Sequence, residues 1–219
     1  MNLRLPTLIF AAAACMMQAA GRDHEDEDDF TVWEPVYFSP ADSIAPVVAD
    51  PADLSTAILG ETIADARTMW LFVREHNADF PLEIAEAFHR LGAVYGIRAD
   101  VALCQAIVET GWFKFGGGTS VTADQHNYCG LGVTRRGVKG HAFDCVEDGV
   151  RAQLQHLYAY ASTKPLPEGE KMTDPRFGLV KRGIATTWHE LSNRWAMNEN
   201  YGRQIISLYE KLLAKLGSK

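Results

Sequence analysis

Gln105-Ala-Ile-Val-Glu-Thr-Gly-Trp-Phe-Lys-Phe-Gly-Gly-Gly118, followed a few residues later by Gln125-His-Asn-Tyr-Cys-Gly-Leu-Gly132, is the stretch on which the chain turns. Its first half carries apolar residues at helical spacing up to a single acid, Glu109. A helix-breaking Gly111, three aromatics and three glycines follow at once. The second half is a glycine-rich turn around Asn127 and Tyr128. A carboxylate at the end of a buried helix, with irregular backbone opposite, suits the wall of a cleft. The same residues also allow a plain surface glutamate at a helix end.

Working outward, the pattern on both sides is helical. Apolar spacing predicts a helix from about Leu54 to Glu75, with Ile58, Ile63, Met69, Leu71, Phe72 and Val73 on one face. Pro81 opens a second, bearing Ile84, Ala85, Phe88, Leu91 and Val94 and ended by Gly96. Asp100 reads as the N-cap of a third, running through Glu109. Residues 113–145 are irregular, with one short hairpin expected across Val133–Phe143. A long helix starts at Val146, burying Val150, Leu154, Leu157 and Tyr158, and stops at Pro165 and Pro167. Thr187-Trp-His-Glu190 is a capping-box pattern opening a short helix toward Trp195. Tyr201–Leu216 is a final amphipathic helix with Ile205, Leu208, Leu212 and Leu216 in register. The expected architecture is mainly α, with a short irregular or β-hairpin insert lining the cleft and no internal repeat.

The charge is unevenly placed. Of 28 acids, ten fall in residues 22–53, leaving 18 acids against 19 bases over 54–219. The folded part is near neutral and has no dense basic stripe, so it lacks the electrostatic footprint of a nucleic-acid binder. Residues 21–53, with their Asp23–Asp29 run and prolines at 35, 40, 46 and 51, read as a solvated acidic linker. Residues 1–20 read as an export signal: Arg4, then an apolar run from Leu8 to Met17, too short to span a bilayer. Cleavage near Ala20 and lipid anchoring through Cys15 are both open. The folded domain is then 54–219. Without Cys15, three cysteines remain. Cys129–Cys145 is the expected disulfide, and Cys104 the packed thiol. The four histidines at 126, 141, 156 and 189 show no metal-ligand spacing.

A carboxyl near a helix C-terminus is disfavoured as an anion, and desolvation by Trp112, Phe113 and Phe115 would raise its pKa. Such an acid can protonate a leaving oxygen. The ordered set Ala106–Gly117, Gln125–Gly132, Glu147–Leu157, Asp174-Pro-Arg-Phe177, Arg182-Gly183, Trp188 with Leu191, Trp195-Ala196 and Tyr201-Gly202 resembles the glucosaminidase domain of bacterial cell-wall hydrolases. This is the mannosyl-glycoprotein endo-β-N-acetylglucosaminidase-like group, glycoside hydrolase family 73, and the likeness covers roughly residues 80–216.

The resemblance implies a lysozyme-like helical fold and cleavage of the β-1,4 bond between N-acetylglucosamine and N-acetylmuramic acid in peptidoglycan strands. It implies Glu109 as general acid and no cofactor or metal, in an exported, periplasmic or cell-envelope protein acting as a monomer. Asp124 is the first candidate for a second carboxylate, with Asp144, Glu147 and Asp148 behind it. Tyr201 matches a cleft-facing tyrosine. Trp112, Phe113, Asn127 and Tyr128 are candidates to line the sugar site, and Asp174 with Arg176 for an internal ion pair. Two other readings stay open: a lytic transglycosylase of the same fold, which needs one acid, and a non-catalytic wall-binding module.

Overall fold

The computed structural model describes residues 56–116, 120–135 and 137–216. The expected leader, the lipidation site at Cys15 and the acidic linker lie outside them, as do Gly117 and Gly118. The described residues form five α-helices: α1 (Ala66–Arg74), α2 (Leu82–Tyr95), α3 (Ala99–Thr110), α4 (Val146–Ala161) and α5 (Tyr201–Ala214). The described residues form isolated bridges and no paired strands. The fold is mainly α.

α3 is the axis. Every residue from Ala99 to Thr110 is buried, as expected of a helix apolar on all sides. α2 and α5 pack on it, while α1 and α4 pack on α2. Its polar residues are therefore forced to find partners inside the protein. Asp100 does so through backbone amides: Oδ2 accepts from Ile63 and Ala64 at 2.8 and 3.1 Å, and Oδ1 accepts from Val101. It is thus not the N-cap, a position held by Arg98. Its carboxylate instead pins the strap of residues 56–64 across the start of α3. That strap runs extended, and Ile58 donates to Thr186 O at 2.9 Å while Arg98 donates to Ile58 O at 3.1 Å. The first helix consequently begins at Ala66, with Asp65 as its cap, about a dozen residues later than the apolar pattern suggests. Leu71 faces solvent.

The other helix limits follow the sequence signals closely. Pro81 precedes α2, and Gly96 ends it in the left-handed conformation. Thr187 and Glu190 form the reciprocal bonds of a capping box, at 3.0 and 3.3 Å, although the helix they open is a single 3-10 turn, His189–Leu191.

The insert between α3 and α4 is irregular. One turn closes through Val138 N and Arg135 O, and the segment is tied down by His141 N to Leu131 O and Phe143 N to Gln125 O. No β-ladder forms across Val133–Phe143 among the described residues. Cys129 and Cys145 are not bridged. Cys129 is buried in a small cluster with Leu131 and Ala152 on α4. Cys145 stands at the N-cap of that helix, half-buried. Cys104 packs in the core.

The insert lies directly on α4 because Gly149 permits it. A Cβ at Gly149 would stand 1.8 Å from the carbonyl oxygen of His126. Gly149→Ala should therefore push the Gln125–Asn127 turn off the helix. Overpacking of this kind costs about 2–3 kcal/mol, a fall in melting temperature of roughly 5–10 °C. Gly178→Ala, where nothing lies within 4 Å, should move it by less than ~2 °C. Thermal melts of the two variants check this.

Candidate active site

Glu109 sits in the last turn of α3, only 4% exposed. Gln105 is one turn earlier on the same face. Tyr201, the first residue of α5, fills the space between them and ties the two together. Its hydroxyl donates to Glu109 Oε1, and Gln105 Nε2 donates to the tyrosine oxygen at 2.9 Å. Gln105 is held in turn by Gln153 of α4, whose Nε2 donates to Gln105 Oε1 at 2.9 Å and to Ala102 O at 3.0 Å. Trp195 supplies a second hydrogen bond to the Glu109 carboxyl. A Cβ at Gly130 would come 3.7 Å from Glu109 Oε2, so that oxygen faces a backbone carrying no side chain.

Burial raises the Glu109 carboxyl from the usual 4.5 to about 7, against the opposing pull of the Tyr201 and Trp195 hydrogen bonds. Burial and the Glu109 charge hold Tyr201 well above its ordinary range, so its hydroxyl stays a donor. The acid therefore holds its proton near neutrality, which general-acid work requires.

The enclosure differs from the one the sequence suggests. Trp112 and Phe113 do not cover the acid. Gly111, Trp112 and Phe113 all adopt positive φ, near 60°, and this left-handed turn carries the aromatic rings toward α1 and α2. Trp112 stacks on His76 at 3.6 Å and touches Phe72. Phe113, 6% exposed, lies between Phe80 and Tyr128. Neither Phe113 nor Tyr128 offers a face to a sugar in this arrangement. Asn127, 0% exposed, spends both ends of its amide on the loop: Nδ2 donates to Leu131 O and His141 O at 2.9 Å, and Oδ1 accepts from Leu131 N at 3.0 Å. It shapes the Gly130 turn and so works on the site from behind.

Asp124 does not come together with Glu109. It lies exposed in a 3-10 turn, Ala123–Gln125, and a hydrogen bond from Thr122 holds its carboxyl below the ordinary range. The charges that act on it are Lys139 and His126. The other candidates are also committed or remote. Glu147 pairs with Arg90 at 2.9 Å and Arg151 at 2.5 Å, and Asp148 with Lys171 at 2.8 Å. Asp144 is exposed.

The open groove runs past Gly130, along Leu131–Thr134 on one side and Trp195, Tyr160 and His156 on the other. Its aromatic wall is Trp195, with Tyr160 tilted on it at 5.7 Å and the His156 ring edge-on at 4.9 Å. His156 is fixed by Asp174, Nδ1 to Oδ2 at 2.7 Å. The ion pair expected between Asp174 and Arg176 is thus replaced: Arg176 gives Asp174 only its backbone N–H, at 2.8 Å. Trp195 belongs to the set that carries the family resemblance, with no role given to it there, and Tyr160 was not singled out; both line this groove. They lie 86 and 51 positions from Glu109, and nothing local to Tyr160 besides its aromatic ring marks it. Among the described residues no group of three His, Cys, Asp or Glu converges as a metal site would need.

The model of the family described as mannosyl-glycoprotein endo-beta-N-acetylglucosaminidase, Glucosaminidase, matches residues 85–214. An uncharacterized protein of Borreliella burgdorferi is 36% identical over 139 residues, 64% of this chain. The chain covers 66% of that relative, just under two thirds of its length.

The raised carboxyl has a stability consequence of known sign. Folding raises the pKa of Glu109, so the folded protein binds this proton more tightly than the unfolded chain. Stability is lost as pH climbs from about 4.5 to about 7 and stays lost above. At ~1.4 kcal/mol per pKa unit the ionised acid costs roughly 3 kcal/mol. Glu109→Gln should therefore gain about 2–3 kcal/mol relative to wild type on going from pH 4 to pH 8, or roughly 5–10 °C in relative melting temperature. Paired melts at the two pH values check it. An unchanged difference would mean that the acid is not desolvated.

Proposed function

The chain belongs to the glucosaminidase family, the mannosyl-glycoprotein endo-beta-N-acetylglucosaminidases, and from that premise we propose that it cleaves the β-1,4 bond after N-acetylglucosamine in peptidoglycan, with Glu109 as general acid. The observation that carries this is the buried Glu109 carboxyl, held by Tyr201 and Trp195 and protonated up to about pH 7, with Oε2 turned to the side-chain-free Gly130. No helix among the described residues is long and apolar enough to cross a membrane. We place the enzyme outside the cytoplasm, delivered by the apolar leader and set off from the envelope by the acidic segment before residue 54.

The chemistry follows from what surrounds the acid. Glu109 gives its proton to the glycosidic oxygen as the bond to C1 breaks, and positive charge develops on the ring. Among the described residues no second carboxylate acts on Glu109. The acetamido oxygen of the N-acetylglucosamine being cleaved is then the natural nucleophile. It closes on C1 to form a cyclic oxazolinium ion as the leaving sugar departs. Glu109, now a carboxylate, takes a proton from the water that reopens the ring, which restores the acid. Tyr201 holds Oε1 throughout, so the transferable proton stays on Oε2. Asp124 has no step in this scheme.

The lack of a second carboxylate beside Glu109 also favours one rival, a lytic transglycosylase, in which the muramic C6 hydroxyl attacks in place of water. Digestion of purified peptidoglycan separates the two. Reducing N-acetylglucosamine ends are expected. Anhydro-muramic ends would instead establish the transglycosylase. Glu109→Gln should lower kcat at least ~100-fold with wall binding retained, whereas Asp124→Asn should stay within about threefold of wild type. kcat/KM should fall tenfold per pH unit above about pH 7, as Glu109 loses its proton. Binding without lysis by the wild type would leave a wall-binding module as the better account.

A further inference from the structure

The groove does not stop at its aromatic wall. Beyond Tyr160 it continues past His156 and Leu179 and becomes cationic, lined by Arg176, Lys181 and Arg194. Both guanidinium groups are close enough to act on the Tyr160 hydroxyl, which itself donates to Arg194 O at 3.1 Å. Among the described residues no carboxylate lies within ion-pair distance of any of the three side chains. Asp174, two positions before Arg176, is consumed by His156 and by a backbone amide. Arg194 gives one N–H to Glu190 O at 2.8 Å, which steadies the fork and leaves its other donors over. Arg182, close by in sequence, is different: it is spent on Ser162 O and Lys164 O and lies over Phe177. The domain is near neutral over 54–219, so three cations on one groove are not the overflow of a basic surface.

We propose that this outer part of the groove is a carboxylate-recognition subsite, in which Arg176, Lys181 and Arg194 hold an anionic group carried by the glycan strand. The proposal rests on the glycan-cleaving role above and adds its charge specificity. Arginine forks bind carboxylates bidentately, and a lysine adds an adaptable point charge. Sugar rings against Trp195 and Tyr160 would leave the strand's substituents over this patch. Two sources share the chemistry: the lactyl carboxylate of muramic acid in strands stripped of peptide, and the carboxylates of the peptide where it is still attached. The exposed Leu179 and Ile184 beside the cations favour the second, since a peptide brings methyl groups along with its charge.

Equilibrium binding tests this without relying on turnover. Glu109→Gln protein is titrated with a neutral N-acetylglucosamine tetramer, with peptide-stripped wall strands and with peptide-bearing strands, at low and high salt. Arg176→Gln and Arg176→Gln/Lys181→Gln are compared in the same background. Among the described residues the guanidinium of Arg176 makes no hydrogen bond to the fold, and melts confirm that the variants are folded. The charged strands should bind more tightly than the tetramer, and their Kd should rise about tenfold in Arg176→Gln and further in the double variant. That tenfold corresponds to ~1.4 kcal/mol. The tetramer should change by less than twofold, and the preference should shrink in high salt. Whichever charged strand shows the arginine dependence identifies the source. Equal weakening for neutral and charged strands, or no preference in the parent, overturns the subsite. If the unsubstituted enzyme lyses wall while the preference is absent, the subsite falls and the cleavage role stands. If it lyses nothing but the arginine-dependent preference is present, the cleavage role falls and the subsite stands.

Discussion

A carboxylic acid buried at the end of an all-buried helix has to be given partners, and the hydrogen bond from Tyr201 to Glu109 is where this fold meets that demand. Leaving such a group unpaired costs on the order of 1–3 kcal/mol. The answer is a relay across three helices: Gln153 on α4, Gln105 and Glu109 on α3, Tyr201 on α5. The relay fixes register. Gln105 and Glu109 are one turn apart, so Tyr201 can serve both only if α5 begins opposite that turn. Gly202, next along, fits this start against the 188–189 backbone, since a Cβ there would lie 2.4 Å from Trp188 O. Trp188 is in turn held by the strap of residues 56–60, through Ala57 O at 3.1 Å. The position of Trp195, and with it the cleft wall, therefore descends from the need to satisfy one acid.

The aromatic run after Glu109 is the reverse case, a local signal whose meaning changed. Trp112, Phe113 and Phe115 all have positive φ, and non-glycine residues pay on the order of 1–3 kcal/mol for such geometry. Thr110 offsets part of it. Its hydroxyl donates to Ala106 O at 2.6 Å and accepts from Phe113 N at 2.9 Å, and its carbonyl accepts from Phe115 N. Burial of Phe113 offsets more. The run is thus an anchor that clamps the end of α3 to α1 and α2. It holds the end of α3 in place, with the rings of Trp112 and Phe113 packed away from the Gly130 turn.

These two features explain what the sequence could tell. The helices α2, α4 and α5 were legible because apolar period, proline and glycine act locally, and Glu109 was legible because an acid ends the apolar run of α3. Tyr201 was legible only through the family resemblance. The start of α1 was missed because the apolar residues of 56–64 belong to an extended strap held by Asp100, a tertiary contact. Tyr160 was not singled out because nothing in its local pattern separates a cleft aromatic from a core one, and the partner of Asp174 is His156, 18 positions away, and not the neighbouring Arg176. Asn127 and Tyr128 stand beside the site in sequence, yet their side chains support the loop.

The source of the Glu109 shift constrains the chemistry more than its size does. Two carboxylates sharing a site also raise one pKa, by repulsion. Here the rise comes from desolvation, and three other acids are occupied elsewhere: Asp174 by a hydrogen bond with His156, Glu147 by Arg90 and Arg151, Asp148 by Lys171. An acid raised by burial keeps its proton until the leaving oxygen takes it. Among the described residues no ionised carboxylate acts on it to stabilise the charge that the proposed reaction puts on the ring. In that proposal the charge is met by the substrate, through its own acetamido oxygen. A site built this way needs a single well-held proton and a substrate held firmly enough to bring its own nucleophile to C1. In the proposed site a wall of aromatic rings, continued by the cations of the proposed subsite, supplies that hold.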